Sequence, residues 1–269
     1  MVSGDLDEIT TRQQQMWATG DFHRIGVAML IAGEMLVRSL HVHAGERVLD
    51  VAGGAGNTAL AAARRWADVV CSDYVPELLH RAERRAAAEG LPLRTQIADA
   101  QQLPFADGTF DVVTSTFGAM FAPDQPRTAF ELLRVLRQGG RLGMANWTPQ
   151  SWIGSQFGLL AQFVTPPSGL VSPGAWGIEE RLRKLFGDRI SSLETRPQQL
   201  EICYHDTAGL FGLFRDWFGP VSTAWHMLDK PQREKFRDSW IALADKFNVA
   251  RDGTCEIPFE YLEIVAVKA

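Results

Sequence analysis

The chain predicts an α/β fold: a doubly wound, mostly parallel seven-stranded sheet with a helical cover. Three observations carry that expectation. Five short apolar runs alternate with helical patterns between residues 47 and 147, and such alternation marks βαβ units around a parallel sheet. A glycine-rich turn, Gly53-Gly54-Ala55-Gly56, sits where the first of those runs passes into a helix. The second half then changes character: six of the eight tryptophans follow residue 146, among helical patterns and two further strand-like runs.

The elements follow in order. Residues 27–40 repeat apolar positions at helical spacing. Residues 47–52 (RVLDVA) are a short Val- and Leu-rich run and predict a buried strand. An Ala-rich helix over 57–66 leads to a second strand, 67–72. The helix over 76–88 has Pro76 in its first turn and Gly90 beyond its end. Strands over 94–98 and 110–115 come next, then a helix over 126–137 stopped by Gly139-Gly140, then a fifth strand over 141–147. Beyond it, helices are predicted over 152–164, 179–186, 207–218 and 230–247, and strands over 191–204 and 254–268. Residues 165–177, rich in Pro, Gly and Ser, predict a loop. No linker argues for independent domains. Residues 1–269 read as one domain: a ligand-binding half over 47–147, a helical cover and substrate region over about 148–250, and a final strand over 254–268.

Composition sets the outer limits. The 269 residues are 46% hydrophobic and 22% charged, an ordinary globular balance that excludes wholesale disorder. The net charge of −5 offers no global field for a polyanion, so no nucleic-acid partner is expected. Cys71, Cys203 and Cys255 have neither C-x-x-C spacing nor an even count, so no metal site or disulfide framework is expected. No apolar run is long enough to span a bilayer, and the polar, mixed-charge residues 1–15 do not resemble a signal peptide. A cytoplasmic location is the expectation. No pattern in the chain sets an oligomeric state.

The chemistry concentrates at three strand ends. Glycines in the turn after the first strand let the backbone approach a ligand where a Cβ would collide, and the following helix start offers free N–H groups. The second strand ends at Asp73, whose carboxylate at the carboxyl edge of a doubly wound sheet can accept from both hydroxyls of a ribose. The third ends at Asp99-Ala100, where an exocyclic adenine amine can lie. Asp50 adds a carboxylate beside the glycine turn.

Here the residues resemble the class I S-adenosylmethionine-dependent methyltransferases, and within them the small-molecule branch that includes ubiquinone/menaquinone C-methyltransferases. The resemblance spans roughly 47–147. Residues 48–56 (VLDVAGGAG) are similar to the first family motif. Asp99-Ala100 with Leu103-Pro104-Phe105 and Phe110-Asp111-Val112-Val113 is similar to the adenine strand end and fourth strand. Residues 133–142 (LRVLRQGGRL) are similar to the helix and turn before the fifth strand. Two departures stand out: Ala52 replaces the motif's first glycine, and Gln138 replaces the usual proline.

The resemblance implies a Rossmann-like methyltransferase fold, S-adenosylmethionine as cofactor and a site assignment. Gly53, Gly54 and Gly56 would line the methionine portion, with Asp50 near its amino group. Asp73 would hold the ribose, Tyr74 would pack on adenine, and Asp99 with Ala100 would take the adenine edge. Ser115, Thr116 and Phe117 would border the methionine end. The run Trp17-Ala18-Thr19-Gly20-Asp21-Phe22 resembles the segment such enzymes fold over the cofactor, with Trp17 as its lid residue.

Methyl transfer is an in-line displacement that needs alignment and exclusion of water. An oxygen or nitrogen acceptor also needs a base. His23, beside the suspected lid, is the first choice for a catalytic base, followed by His205, His226 and Tyr261. His41 and His43 read as structural, and Arg81, Arg84 and Arg85 as a solvated helix face. Trp147 reads equally as pocket wall or core. The aromatic second half predicts core and a partly apolar small-molecule pocket. Three rivals remain. A nicotinamide oxidoreductase would have to use Gly54-Ala55-Gly56 without a Tyr-x-x-x-Lys pair. A nucleic-acid methyltransferase would lack the Asn/Asp-Pro-Pro-aromatic pattern after the fourth strand. A non-catalytic protein that binds the cofactor for regulation would share every motif.

Overall fold

A computed structural model describes residues 3–19, 21–167 and 169–269. Gly20, within the suspected lid run, and Ser168, within the predicted loop, lie outside the described residues. The chain begins with α1 (Ser3–Ala18), the single turn α2 (His23–Gly26) and α3 (Leu30–Ser39). Then come β1 (Arg47–Val51), α4 (Asn57–Ala63), β2 (Asp68–Asp73), α5 (Pro76–Glu89), β3 (Arg94–Ile97), β4 (Phe110–Thr116), α6 (Gln125–Val135) and β5 (Leu136–Trp147). The second half adds α7 (Trp152–Phe163), α8 (Glu179–Phe186), β6 (Ile190–Tyr204), α9 (Thr207–Trp217), α10 (Gly219–Met227), α11 (Lys230–Phe247) and β7 (Cys255–Lys268).

The seven strands form one sheet in the order β3-β2-β1-β4-β5-β7-β6. Neighbours from β3 to β5 pair in parallel, and β7 runs antiparallel between β5 and β6. The order reverses direction at β1, so the carboxyl ends of β1 and β4 part there and open a crevice. Four of the five β1 residues are buried because helices cover both faces of a central parallel strand. Leu36, Leu40, Ala62, Val69 and Val112 fill one face; the larger core on the other includes Trp152, Phe186, Phe214 and Trp240 of the cover.

Local chemistry explains several ends. Asp124 caps α6 by accepting the Arg127 N–H at 2.9 Å. Asp229 and Gln232 form a reciprocal capping box on α11. The predicted helix end at Gly139-Gly140 is corrected: α6 stops at Val135 and the chain is extended from Leu136. Residues 137–140 instead bulge out of the β4–β5 ladder, whose register jumps from Phe110–Leu136 to Val112–Arg141. Three helices had no counterpart in the sequence reading: α1, from a polar segment, the single turn α2, and α10, whose start is packed on α1. A Cβ on Gly219 would lie 2.7 Å from the Met16 carbonyl oxygen.

Candidate functional site

A cavity opens at the crevice, above the carboxyl ends of β1, β2, β3 and β4 and beneath α1 and α2. Its floor is the turn after β1. A Cβ on Gly53 would meet Asp50 Oδ2 at 2.6 Å and Cys71 Sγ at 2.7 Å, so only glycine lets the chain lie flush there. Ala52 stands where the resemblance expects glycine and adopts a left-handed φ of +51°. Across the crevice Phe117 is also left-handed, at φ +57°. Between these residues the loops touch, since a Cβ on Gly118 would lie 2.3 Å from the Ala52 carbonyl oxygen.

The acids are held before any ligand arrives. Asp50 is buried and accepts from Thr114 Oγ1 at 2.8 Å and the Ala59 N–H at 3.0 Å. Burial nevertheless pushes its carboxyl up to about 7. Asp73 accepts the Gly54 and Val75 N–H groups, each at 2.9 Å, which ties β2 to the glycine turn. Burial raises it to about 6. One acceptor position on each Asp73 oxygen remains after those bonds. Burial likewise drives the Tyr74 phenol upward. Asp99 accepts the Gln101 N–H at 2.8 Å and its side-chain amide at 3.0 Å. Thr58 donates to Thr116 at 2.7 Å, joining α4 to the end of β4.

The roof comes from the N-terminal segment. Gln101 Nε2 donates to Thr10 at 3.0 Å, and the Gln14 side chain donates to the Tyr74 carbonyl. Asp21 pairs with Arg81 at 2.9 Å, and Asn57 Nδ2 donates to the Gly26 carbonyl at 2.8 Å. Trp17 is the hub of an aromatic group, with ring centroids 5.5 Å from Phe22, 5.1 Å from Phe121 and 5.8 Å from Phe218. These edge-on contacts seal α1 to the cover. Two polar atoms, Gln13 Oε1 and His23 Nδ1, are buried without a partner on residues that line the cavity.

Most of the sequence-predicted residues converge here. Trp17, His23, Asp50, Gly53, Gly54, Asp73, Tyr74, Asp99, Ala100, Thr116 and Phe117 all line the cavity. Gly56 and Ser115 do not. Gly56 is needed instead for a left-handed φ of +80° at the start of α4 and for packing on Ala82, 2.9 Å from a built Cβ. Ser115 is buried and bridges the Val51 carbonyl and the Ala119 N–H. Three proposed bases lie elsewhere: His205 and His226 are exposed on the cover, and Tyr261 is wholly buried, with its phenol pushed up to about 12. Trp147 is core, stacked 3.7 Å behind Phe117 at an interplanar angle of 3°. The arginine reading is corrected in part. Arg84 is solvated, but Arg81 fastens Asp21, and Arg85 donates to the Ala55 carbonyl and Asn57. Their helical spacing looked like an exposed face because the segment that covers them is distant in sequence. Thr10, Gln13, Met29, Asn57, Gln101 and Phe121 were missed. The amphipathic turn spacing of Thr10, Gln13 and Trp17 was the available signal for the first two.

Comparison with known proteins fits this geometry. A family model described as a methyltransferase domain matches residues 48–140. An uncharacterized protein of Mycobacterium tuberculosis is 38% identical over 270 residues, covering 96% of this chain and 94% of its own. The demethylmenaquinone methyltransferase of Deinococcus radiodurans is 37% identical over 139 residues, 50% of this chain and 58% of that one. The chain belongs to the class I S-adenosylmethionine-dependent methyltransferases. With that membership the oxidoreductase reading falls. The YcgJ protein from Bacillus subtilis shares the fold of this methyltransferase, with a TM-score of 0.62 at 21% identity over 88% of this chain and 97% of that one. So does a geranyl diphosphate methyltransferase crystallised with S-adenosylmethionine, with a TM-score of 0.53 at 21% identity over 89% and 85%. The residues present fit that cofactor: a flush glycine turn, two strand-end acids with free acceptor positions, and unpartnered polar atoms at the wall. Among the described residues, no helix is long and apolar enough to cross a membrane.

Proposed function

We propose that this enzyme methylates a small, partly apolar acceptor by in-line displacement, under a roof formed by α1 and α2. One observation carries the reading. The cavity lining joins the strand-end acids Asp50, Asp73 and Asp99 to an apolar set, Trp17, Phe22, Met29, Phe117 and Phe121. S-adenosylmethionine supplies, when bound, a methyl carbon already activated by its sulfonium. The residues around it bind and orient. Gly53 and Gly54 admit the amino-acid end, with Asp50 beneath to balance a positive amino group. Asp73 takes ribose hydroxyls on its remaining acceptor positions, Tyr74 flanks adenine, and Asp99 with Ala100 reads its edge. Thr116 and Phe117 border the methionine end. The aromatic wall excludes water from the transfer and favours an acceptor with apolar surface. Trp17 acts as the lid residue.

This reading is tested by incubating the protein with S-adenosylmethionine that carries a heavy methyl group and a small-molecule extract. Mass spectrometry then follows the label. The expected result is a labelled small molecule together with S-adenosylhomocysteine. Label found only on added nucleic acid, or cofactor bound with no transfer from any extract, would overturn it.

A further inference from the structure

We propose that Gln101 is a positioning residue that ties the grip of Asp99 on the nucleobase to closure of the roof. The assignment rests on the cofactor reading above and deepens it.

The chain after β3 folds Gln101 back on the acid. The Gln102 N–H donates to the Asp99 carbonyl at 2.9 Å, which closes a tight turn. Within that turn the Asp99 carboxylate accepts the Gln101 N–H at 2.8 Å, the local bonding that suits Asp to such places. The Gln101 side chain then joins three walls of the cavity. Its Nε2 donates to Asp99 Oδ2 at 3.0 Å and to Thr10 Oγ1, on α1, at 3.0 Å. Its Oε1 accepts the Asp124 N–H at 2.8 Å, at the start of α6 and just past the cavity residues Phe121, Ala122 and Pro123.

The amide stands one way round. A carboxylate only accepts and a backbone N–H only donates, so Nε2 faces Asp99 and Oε1 faces Asp124. The two Nε2 hydrogens serve two acceptors, Asp99 and Thr10, and neither can move without turning the whole group. The charge of Asp99 therefore sets the direction of the hydrogen that reaches Thr10. Among the described side chains, that bond is the one hydrogen bond tying residues 6–13 of α1 to the rest of the protein. Asp99 Oδ2 accepts only from Gln101 among the described residues, so it keeps an acceptor position for an exocyclic amine. An amine bound there fixes the carboxylate, and the fixed carboxylate holds Gln101 and Thr10 in turn. Linkage makes the effect reciprocal: a roof held on Gln101 strengthens the grip on the amine. A nucleobase with a carbonyl in place of the amine brings Asp99 no donor and leaves the two uncoupled.

The test compares S-adenosylhomocysteine with S-inosylhomocysteine, which has a carbonyl where adenine has its amine. Each is bound to the full chain as wild type, Thr10→Val, Thr10→Ser and Gln101→Leu, with circular dichroism to confirm folding. Hydrogen exchange of α1, followed by mass spectrometry, and stopped-flow dissociation are the readouts. In the wild type the adenine ligand should bind more tightly, and slow exchange in α1 more, than the inosine ligand does. Thr10→Val should speed dissociation of the adenine ligand about fivefold, change the inosine ligand by less than about twofold, and erase the difference in α1 exchange. Thr10→Ser, which keeps the hydroxyl, should behave as the wild type. Gln101→Leu should lose both the preference and the α1 difference. Equal acceleration of both ligands in Thr10→Val would assign the bond to packing of the roof alone and overturn the coupling. So would a Gln101→Leu variant with the preference and α1 response of the wild type. A wild type that binds both ligands alike would remove the placement of adenine at Asp99, and the coupling with it.

Discussion

The two regions that enclose the cavity are built by different rules. Residues 47–147 make their part of the site from local pattern: β1 to β4 each end in a turn whose own residues line the cavity. The N-terminal segment, α1 to α3, makes its part from distant contacts. Gln14 reaches Tyr74, Asp21 reaches Arg81, and Trp17 is held by Phe121 and Phe218. The first region shapes the cavity with its backbone. The second depends on side chains that meet it only after the sheet has formed. Substitutions in the floor should therefore damage folding and binding together, whereas substitutions in the roof should separate them.

The largest expected effect lies where two floor loops touch. Gly118→Ala places a Cβ against the Ala52 carbonyl, which neither loop can yield without moving its backbone. The expected cost is about 3 kcal/mol of stability, read from the urea midpoint. A midpoint within experimental error of the wild type would mean that the loops are not in fixed contact.

Asp50 gives the next largest effect, and its sign is unusual. Burial lifts its folded pKa to about 7, above the ordinary aspartate value of about 3.9, so the folded chain holds a proton that the unfolded chain releases. Stability from this group is full below pH ~4 and declines as pH rises towards 7, by a total on the order of 2–4 kcal/mol. Asp50→Asn should therefore raise the stability of the ligand-free protein at pH 8 and flatten its dependence between about pH 4 and 7. The same variant should bind S-adenosylmethionine more weakly. A variant less stable than the wild type at pH 8 would contradict the burial argument.

Trp17→Ala sharpens the contrast from the roof. Cofactor dissociation, followed by stopped-flow fluorescence exchange, should accelerate by about tenfold, for the loss of packing worth roughly 1.4 kcal/mol. The folding midpoint should move far less than in Gly118→Ala. Equal dissociation rates would refute the lid. The smallest effect is expected at Ala52. Its φ of +51° is strained for alanine, so Ala52→Gly should gain about 1 kcal/mol in stability. A loss there would show that the alanine methyl contributes more than its backbone strain costs.

The same division explains what could be read from the sequence. The strand ends were legible because Gly53, Asp73 and Asp99 reach the cavity through their own backbone position, and strand-to-helix alternation fixes that position. The final strands β6 and β7 and the helices α8 and α11 were legible from length and periodicity. Gly56 falls outside the cavity lining because the turn contains glycines for two reasons, close approach to the cavity and helix packing, and sequence does not separate them. Arg85 was misread because its partners, Ala55 and Asn57, lie across a strand and a turn. Helix α1 was legible as a site element only at Trp17, because its polar residues, such as Gln13 and Gln14, look like solvated surface until the sheet supplies a cavity for them. His226 and Tyr261 were plausible bases only as residue types; one lies on an exposed helix end and the other under Phe117 and Trp147.

The most direct test of the account is the affinity of S-adenosylmethionine for Asp73→Asn, measured by calorimetry beside the wild type. The variant keeps one acceptor oxygen for the backbone and loses the charge that faces the ribose. The account predicts that affinity falls roughly tenfold or more with the fold intact. An affinity equal to that of the wild type would contradict the placement of the nucleoside at the strand ends, and with it the site described here.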